Sequence, residues 1–259
     1  MKRFLAAMFA IALLLTVLCA CGNSTATEEK GEKDEESATG FISHNRKDAE
    51  DEEEKEDESA GQLEIVDSGY TVMEPDSDAD IYMTYAVTIK NTLRKLAAQF
   101  PEISITGRKE DGSILFSEEE TLNIILPGDT VSYADDFIDC RGEKPASVEI
   151  KVEGADFVKP DMAYADTVES SSFKIENLSV FADDYEVSVT GEITNNSDVD
   201  FDTVEVTVIL KNQGKIVGGY SGYVDNLSAH KQTVFDLSSF WSDSELPAHD
   251  SVEVVAQGC

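Results

Sequence analysis

From Leu63 to the C-terminus, apolar residues recur at every second position in short runs. Ile81, Met83, Tyr85, Val87 and Ile89 alternate with Tyr82, Thr84, Ala86, Thr88 and Lys90. Ile103 and Ile105 alternate with Ser104 and Thr106, and Val148, Ile150 and Val152 with Glu149, Lys151 and Glu153. Successive side chains of a strand point to opposite faces. The pattern therefore commits the chain to half-buried antiparallel strands, each with one core face and one polar face. No stretch keeps a helical period. Asn91 to Phe100 (NTLRKLAAQF) is the only segment that reads as a short helix or turn.

The second half repeats the first. Val187, Val189, Gly191 and Ile193 alternate with polar residues, as do Val204, Val206, Val208 and Leu210. Four landmarks align in order. Ile89-Lys90-Asn91-Thr92 falls opposite Ile193-Thr194-Asn195-Asn196, and Asp111-Gly112 opposite Gln213-Gly214, where glycine supplies the positive φ of a hairpin turn. Leu126-Pro127-Gly128-Asp129 falls opposite Leu227-Ser228-Ala229-His230, and Ser147 to Ile150 opposite Ser251 to Val254. The offset stays near 104 residues with little drift, which reads as a tandem duplication. Strands at regular spacing with Asn, Gly and Pro between them predict one β-sandwich per unit, at 62–158 and 172–259. Lys159 to Ser172, where Pro160 and several Ser and Asp residues interrupt the alternation, reads as the linker.

Upstream the composition changes. From Gly22 to Gly61 the chain is rich in Glu, Asp, Lys, Ser and Gly, with Phe41 and Ile42 its only large apolar residues. Such a segment buries too little surface to offset ordering, so 21–61 is expected to be a disordered, self-repelling acidic tether. Asp51 to Glu58 lacks the ligand spacing and turn glycine of a calcium loop. The whole chain carries a formal charge of −33. Its phosphate-repelling sign argues against nucleic acid as a partner.

The first twenty residues read as an export signal. Met1-Lys2-Arg3 is basic, Phe4 to Leu18 is apolar apart from Thr16, and the run is short for a membrane span. Leu18-Cys19-Ala20-Cys21, followed by Gly22, matches a bacterial lipobox. The Cys21 thiol, at the new N-terminus after cleavage, would carry a diacylglycerol, whose two palmitate-type acyl chains anchor stably where one is marginal. Lipidation at Cys21 places the chain on the extracytoplasmic face of the cell membrane. Its partners there would be the membrane itself and another protein of the envelope. Loss of Lys2 and Arg3 would leave 18 basic against 53 acidic residues, a charge of −35. Cys140 and Cys259 are then the only cysteines left to pair. The compartment permits a disulfide, while the terminal position of Cys259 argues against one.

The second unit resembles a known family. It opens on Phe173-Lys174-Ile175, followed by Gly191-Glu192-Ile193-Thr194-Asn195-Asn196-Ser197. Val206 to Lys211, Asn212-Gln213-Gly214-Lys215-Ile216-Val217-Gly218 and the closing Leu227 to Phe235 come next. This is similar to the FxLYD domain, an immunoglobulin-like module of Firmicute lipoproteins. The name-giving pentapeptide would fall on Val208 to Asn212, where Leu210 alone is kept. The resemblance implies an all-β, immunoglobulin-like fold and transfers no catalytic residue.

Chemistry is sparse. The histidines are His44, His230 and His249, and no Gly-x-Ser-x-Gly occurs; Gly219-Tyr220-Ser221-Gly222 lacks its spacing. Gly218-Gly219-Tyr220-Ser221-Gly222-Tyr223 follows a strand, but no helix pattern follows it to hold an anion, so it reads as a flexible, tyrosine-bearing strand. There is no C-x-x-C and no Cys/His cluster for zinc. No catalytic residue, metal or cofactor is expected. The sharper binding idea is an aromatic platform for a carbohydrate or peptidoglycan fragment, formed by Trp241, Tyr220 and Tyr223. Against it stands the expectation of a non-enzymatic surface lipoprotein whose sandwiches serve as spacer and interaction modules.

Overall fold

The computed structural model describes residues 62–73, 80–164, 167–184, 186–240 and 246–259. Every described residue lies in one compact unit. Of those residues 66% are in strands and 3% in helix. The fold is all-β, with antiparallel sheets packed as immunoglobulin-like sandwiches.

The first sandwich begins with β1 (Leu63–Met73) and β2 (Tyr82–Asn91), then a short β3 (Ala97–Gln99). It continues through β4 (Glu102–Arg108), β5 (Ile114–Thr121), β6 (Thr130–Asp139), β7 (Ser147–Glu153) and a short β8 (Asp156–Val158). Its sheets are β1-β2-β6 and β5-β4-β7; β3 and β8 form a separate ribbon. The segment Asn91 to Phe100 thus turns and enters a short strand instead of a helix. Asn91 explains this: its amide nitrogen donates to the carbonyls of Leu96 (2.8 Å) and Ile125 (3.0 Å), which fixes the chain in a tight return.

The second sandwich comprises β9 (Phe173–Ala182), β10 (Glu186–Asn195), β11 (Phe201–Asn212), β12 (Lys215–Leu227), β13 (Gln232–Phe240) and β14 (Ser251–Gly258). Its sheets are β9-β10-β13 and β12-β11-β14. Strand for strand this is the topology of the first: β1, β2, β4, β5, β6 and β7 correspond to β9 through β14. Two single-turn 3-10 segments, Pro160–Met162 and Ser170–Ser172, carry the chain between them.

The duplication extends to side-chain chemistry. Asn195, the counterpart of Asn91, donates to Val199 O (2.8 Å) and Leu227 O (3.4 Å). Its carbonyl oxygen accepts from Ser197 N (2.9 Å), as that of Asn91 accepts from Leu93 N (3.1 Å). Both asparagines are buried and use each amide donor, as a buried amide must. The hairpin glycines also match, Gly112 at φ 82° and Gly214 at φ 76°. One landmark moves by a residue: Ile125, not Leu126, is the counterpart of Leu227, because each carbonyl caps its asparagine.

Each sandwich has its own core. Met83, Tyr85, Val87, Ile89, Ile103, Ile105 and Phe116 fill the first; Val187, Val189, Ile193, Val206, Val208, Leu210 and Phe235 fill the second. Each such side chain contributes about 1.5–3 kcal/mol by leaving water.

The two sandwiches then stack. The outer face of β1-β2-β6 packs on the outer face of β12-β11-β14, giving four layers of sheet. Here the expected polar faces are corrected. Thr84 and Ala86 of β2 are fully buried, and all of Val204 to Leu210 in β11 is buried, Glu205 and Thr207 included. The central strands of the two inner sheets are therefore covered on both faces. Period two marked these strands correctly but could not say what lay against the second face.

Candidate functional site

The seam between the sandwiches combines glycines, alanines and threonines with two isoleucines. Ala86, Ala134, Ile209 and Ile216 form its apolar cluster. The sheets approach so closely because three glycines stand where a Cβ would collide. At Gly69 it would lie 1.9 Å from Ile216 O, at Gly218 2.6 Å from Thr84 Cγ2, and at Gly219 2.9 Å from Ala134 Cβ. A single threonine side chain then spans the gap to the opposite backbone. Thr84 Oγ1 donates to Gly219 O (2.7 Å) and accepts from Gly219 N (2.9 Å). Thr71 Oγ1 donates to Val217 O (2.7 Å) and Thr207 Oγ1 to Ser132 O (3.1 Å). The glycine-rich stretch read as a flexible strand is thus the close-packed floor of an internal contact.

At one rim of this seam the titratable groups gather. On β11 and its neighbours, Tyr223, Glu205 and Gln257 stand directly opposite one another across three strands. Glu205 is 3% exposed; Gln257 Nε2 donates to its Oε2 at 2.7 Å, and its Oε1 has no hydrogen-bond partner. Burial raises its carboxyl above the usual carboxylate range, and Glu120 of β5 adds to the rise, while Gln257 and Ser221 oppose it. Burial also raises Tyr133 of β6, with Glu120 and Glu205 adding to it. At the same rim the Cys259 thiol accepts from Asn123 Nδ2 (3.2 Å) and is raised first by burial, then by Glu205. A second carboxyl, Asp136 of β6, accepts from the Ser239 hydroxyl of β13 and is likewise raised by burial.

The aromatic candidates separate. Tyr223 is 63% exposed and lies on this rim beside Glu205. Tyr220 is 2% exposed and points into the second sandwich, its hydroxyl donating to Val187 O (2.9 Å), so it offers a ligand nothing. Trp241 and Cys21, the expected lipidation residue, lie outside the described residues, as does His44. His230 pairs with Asp198 at 2.8 Å on the surface, and His249 Nδ1 lies 2.9 Å from Pro247 O; no serine is hydrogen-bonded to either ring. Cys140 and Cys259 are free thiols, the first buried and pushed up to about 11, mainly by burial. Among the described residues no group of three His, Cys, Asp or Glu is placed to hold a metal ion.

A cleft of about 390 Å³ opens where β6, β9, β14 and the second 3-10 turn meet. Val131, Phe173, Ile175 and Val254 make its apolar wall, and Gln257 links it to the Glu205 rim. Its polar rim is already committed: Ser170 donates from N and Oγ to Asp129, tying the linker to the first sandwich. Glu205, Tyr133 and Gln257 were not singled out in the sequence. Glu205 sits in a Val-polar-Val alternation that looks like any solvated strand face; the only clue was Gly218-Gly219 on the neighbouring strand.

No protein-family model matches the chain, and no curated protein matches it significantly. Among solved structures it is similar to a calcium-binding mutant of Bacteroides uniformis β-glucuronidase 2, at 12% identity and TM-score 0.19. The match covers 69% of this chain and 28% of that enzyme's length.

Proposed function

We propose that this chain is a non-enzymatic lipoprotein, anchored through Cys21 to the outer face of the cell membrane, whose paired sandwiches form an interaction and spacer body for another envelope protein. The observation that carries the reading is the seam. Two units of one topology are locked face to face through Gly69, Thr84 and Gly219. Such a body holds its length and presents broad outer sheets, which suits spacing and docking better than turnover of a small substrate. The lipobox and the acidic segment after it support the placement, and the FxLYD resemblance of the second unit accords with it. The test is affinity capture from intact envelope with the 62–259 fragment, alongside glycan-array binding. A reproducible protein partner supports the proposal, while glycan binding without one overturns it.

One observation keeps a second reading in view. Tyr223 is an exposed aromatic ring on the outer edge of β12, a surface on which a sugar ring can stack. Loss of glycan binding in Tyr223→Ala would favour that reading.

A further inference from the structure

The carboxyl of Glu205 is buried in the seam between the two sandwiches; it accepts from Gln257 Nε2 and sits against the Ser221 hydroxyl, which Thr207 shares, and its Oε1 is sealed from solvent. The groups facing it come from every element around it. They are Gln257 of β14 and the following Cys259, Ser221 and Tyr223 of β12, Glu120 of β5, Tyr133 of β6 and Tyr85 of β2. The ionisable ones among these are all acids, so none offsets a negative charge on Glu205. An ionised carboxylate is disfavoured in such a place, and it neutralises instead where it can. A metal ion or an ammonium group would need room beside Oε1. A proton needs none.

We infer that the two sandwiches form a proton-latched pair, closed while Glu205 carries a proton and parting along the Thr84–Gly219 seam when that proton leaves. In the parted state Glu205 faces water and titrates as an ordinary glutamate. Between that ordinary value and the raised one, the closed form holds a proton that the open form has lost. The closed form therefore loses stability as pH rises through this window, and the loss levels off above it. The geometry suits the device. The seam holds Ala86, Ala134, Ile209, Ile216 and a few threonine bridges, with Met73 and Tyr82 of the first sandwich reaching into the core of the second. Parting withdraws those two side chains and leaves the rest of each core in place. It uncovers Ala86, Ala134, Ile209 and Ile216, a strip hidden in the closed form.

The Gly219 amide reports on this seam alone, since it donates across it to Thr84 Oγ1. Residue-resolved hydrogen exchange on the intact chain, corrected for the intrinsic pH dependence of exchange, reads its protection from about pH 5 to 9. The expected result is a fall in Gly219 protection of up to about tenfold per pH unit through the window. Core amides such as Ile105 and Val189 should stay constant. Glu205→Gln should remove the larger part of the fall, and Glu205→Gln combined with Asp136→Asn, which removes the second raised carboxyl between the sandwiches, should abolish it. A flat Gly219 profile in the wild type, or the same fall in Glu205→Gln, overturns the inference. Small-angle scattering of the wild-type chain provides a check that needs no variant: its radius of gyration should increase over the same pH range, and an unchanged radius also overturns it.

Discussion

Thr84 uses its hydroxyl twice, as donor to the Gly219 carbonyl and acceptor from the Gly219 amide, both across a dry seam. Thr84→Val keeps the shape and strands both backbone groups, so it should cost about 1–3 kcal/mol in chemical denaturation, with Thr84→Ser recovering most of it. Asn91 and Asn195 make the same bonds at the same place in the two units. Their alanine variants should lose stability by similar amounts, about 2–3 kcal/mol each, and additively because the sites share no partner. A large inequality would show that one lock is dispensable. The thiols give a chemical check: at pH 8 in the folded protein, Cys259, exposed although its thiol is raised by burial and Glu205, should alkylate slowly, while buried Cys140, raised to about 11, stays unmodified until unfolding. At this scale the sequence was half legible. Asn91 and Asn195 stood out as repeat landmarks because they recur at one offset. Their bonding did not, since it depends on carbonyls some thirty residues away. Glu205 was invisible because a glutamate on a strand's polar face looks the same whether water or a second sheet lies against it.

β2 and β11 show why strands were easier to find than their surroundings. Alternation fixes which residues share a face, and it placed Met83, Tyr85, Val87 and Ile89 together in one core and Val204, Val206, Val208 and Leu210 in the other. It assigns only one face to the interior. The second face of each strand is filled by a neighbouring unit whose arrival alternation cannot encode. β12 held the clue, since paired glycines in a strand mark close approach of another backbone as often as flexibility. Gly219→Ala puts a methyl group 2.4 Å from Val208 O and 2.9 Å from Ala134 Cβ. It should destabilise by about 1–3 kcal/mol and lower the protection of the seam more than that of either core, measured by hydrogen exchange. The edge strand β5 shows another device. Glu118 and Glu120 lie on the inward face with Phe116, at the sandwich margin, where Arg141 pairs with Glu118 at 3.2 Å. Inward charges on an edge discourage pairing with another chain.

For the whole molecule, the two free outer faces are both acidic. One carries Glu102, Glu119, Glu149 and Glu153 against Lys151; the other carries Glu176, Glu186, Glu192 and Asp236 against Lys174. Like-charged sheets repel, so the protein should sediment as a monomer at neutral pH and begin to associate as pH approaches its isoelectric point near 4.1. A stable dimer at neutral pH and low salt would contradict this reading of the faces. The charge asymmetry and the number of units were readable from composition and repeat. The order of the layers was not, because any of four sheet faces could have met. The contact that formed joins unlike faces of like units: the β1-β2-β6 side of the first meets the β12-β11-β14 side of the second. Such a heterologous joint does not close on itself, and it leaves one face of each kind unoccupied at the two ends. The fold is in effect a tile with distinct top and bottom. Appending a third unit that bears small seam residues in place of the terminal carboxylates would lengthen the column with no new kind of joint. The length of the column is then a matter of how many tiles are strung together.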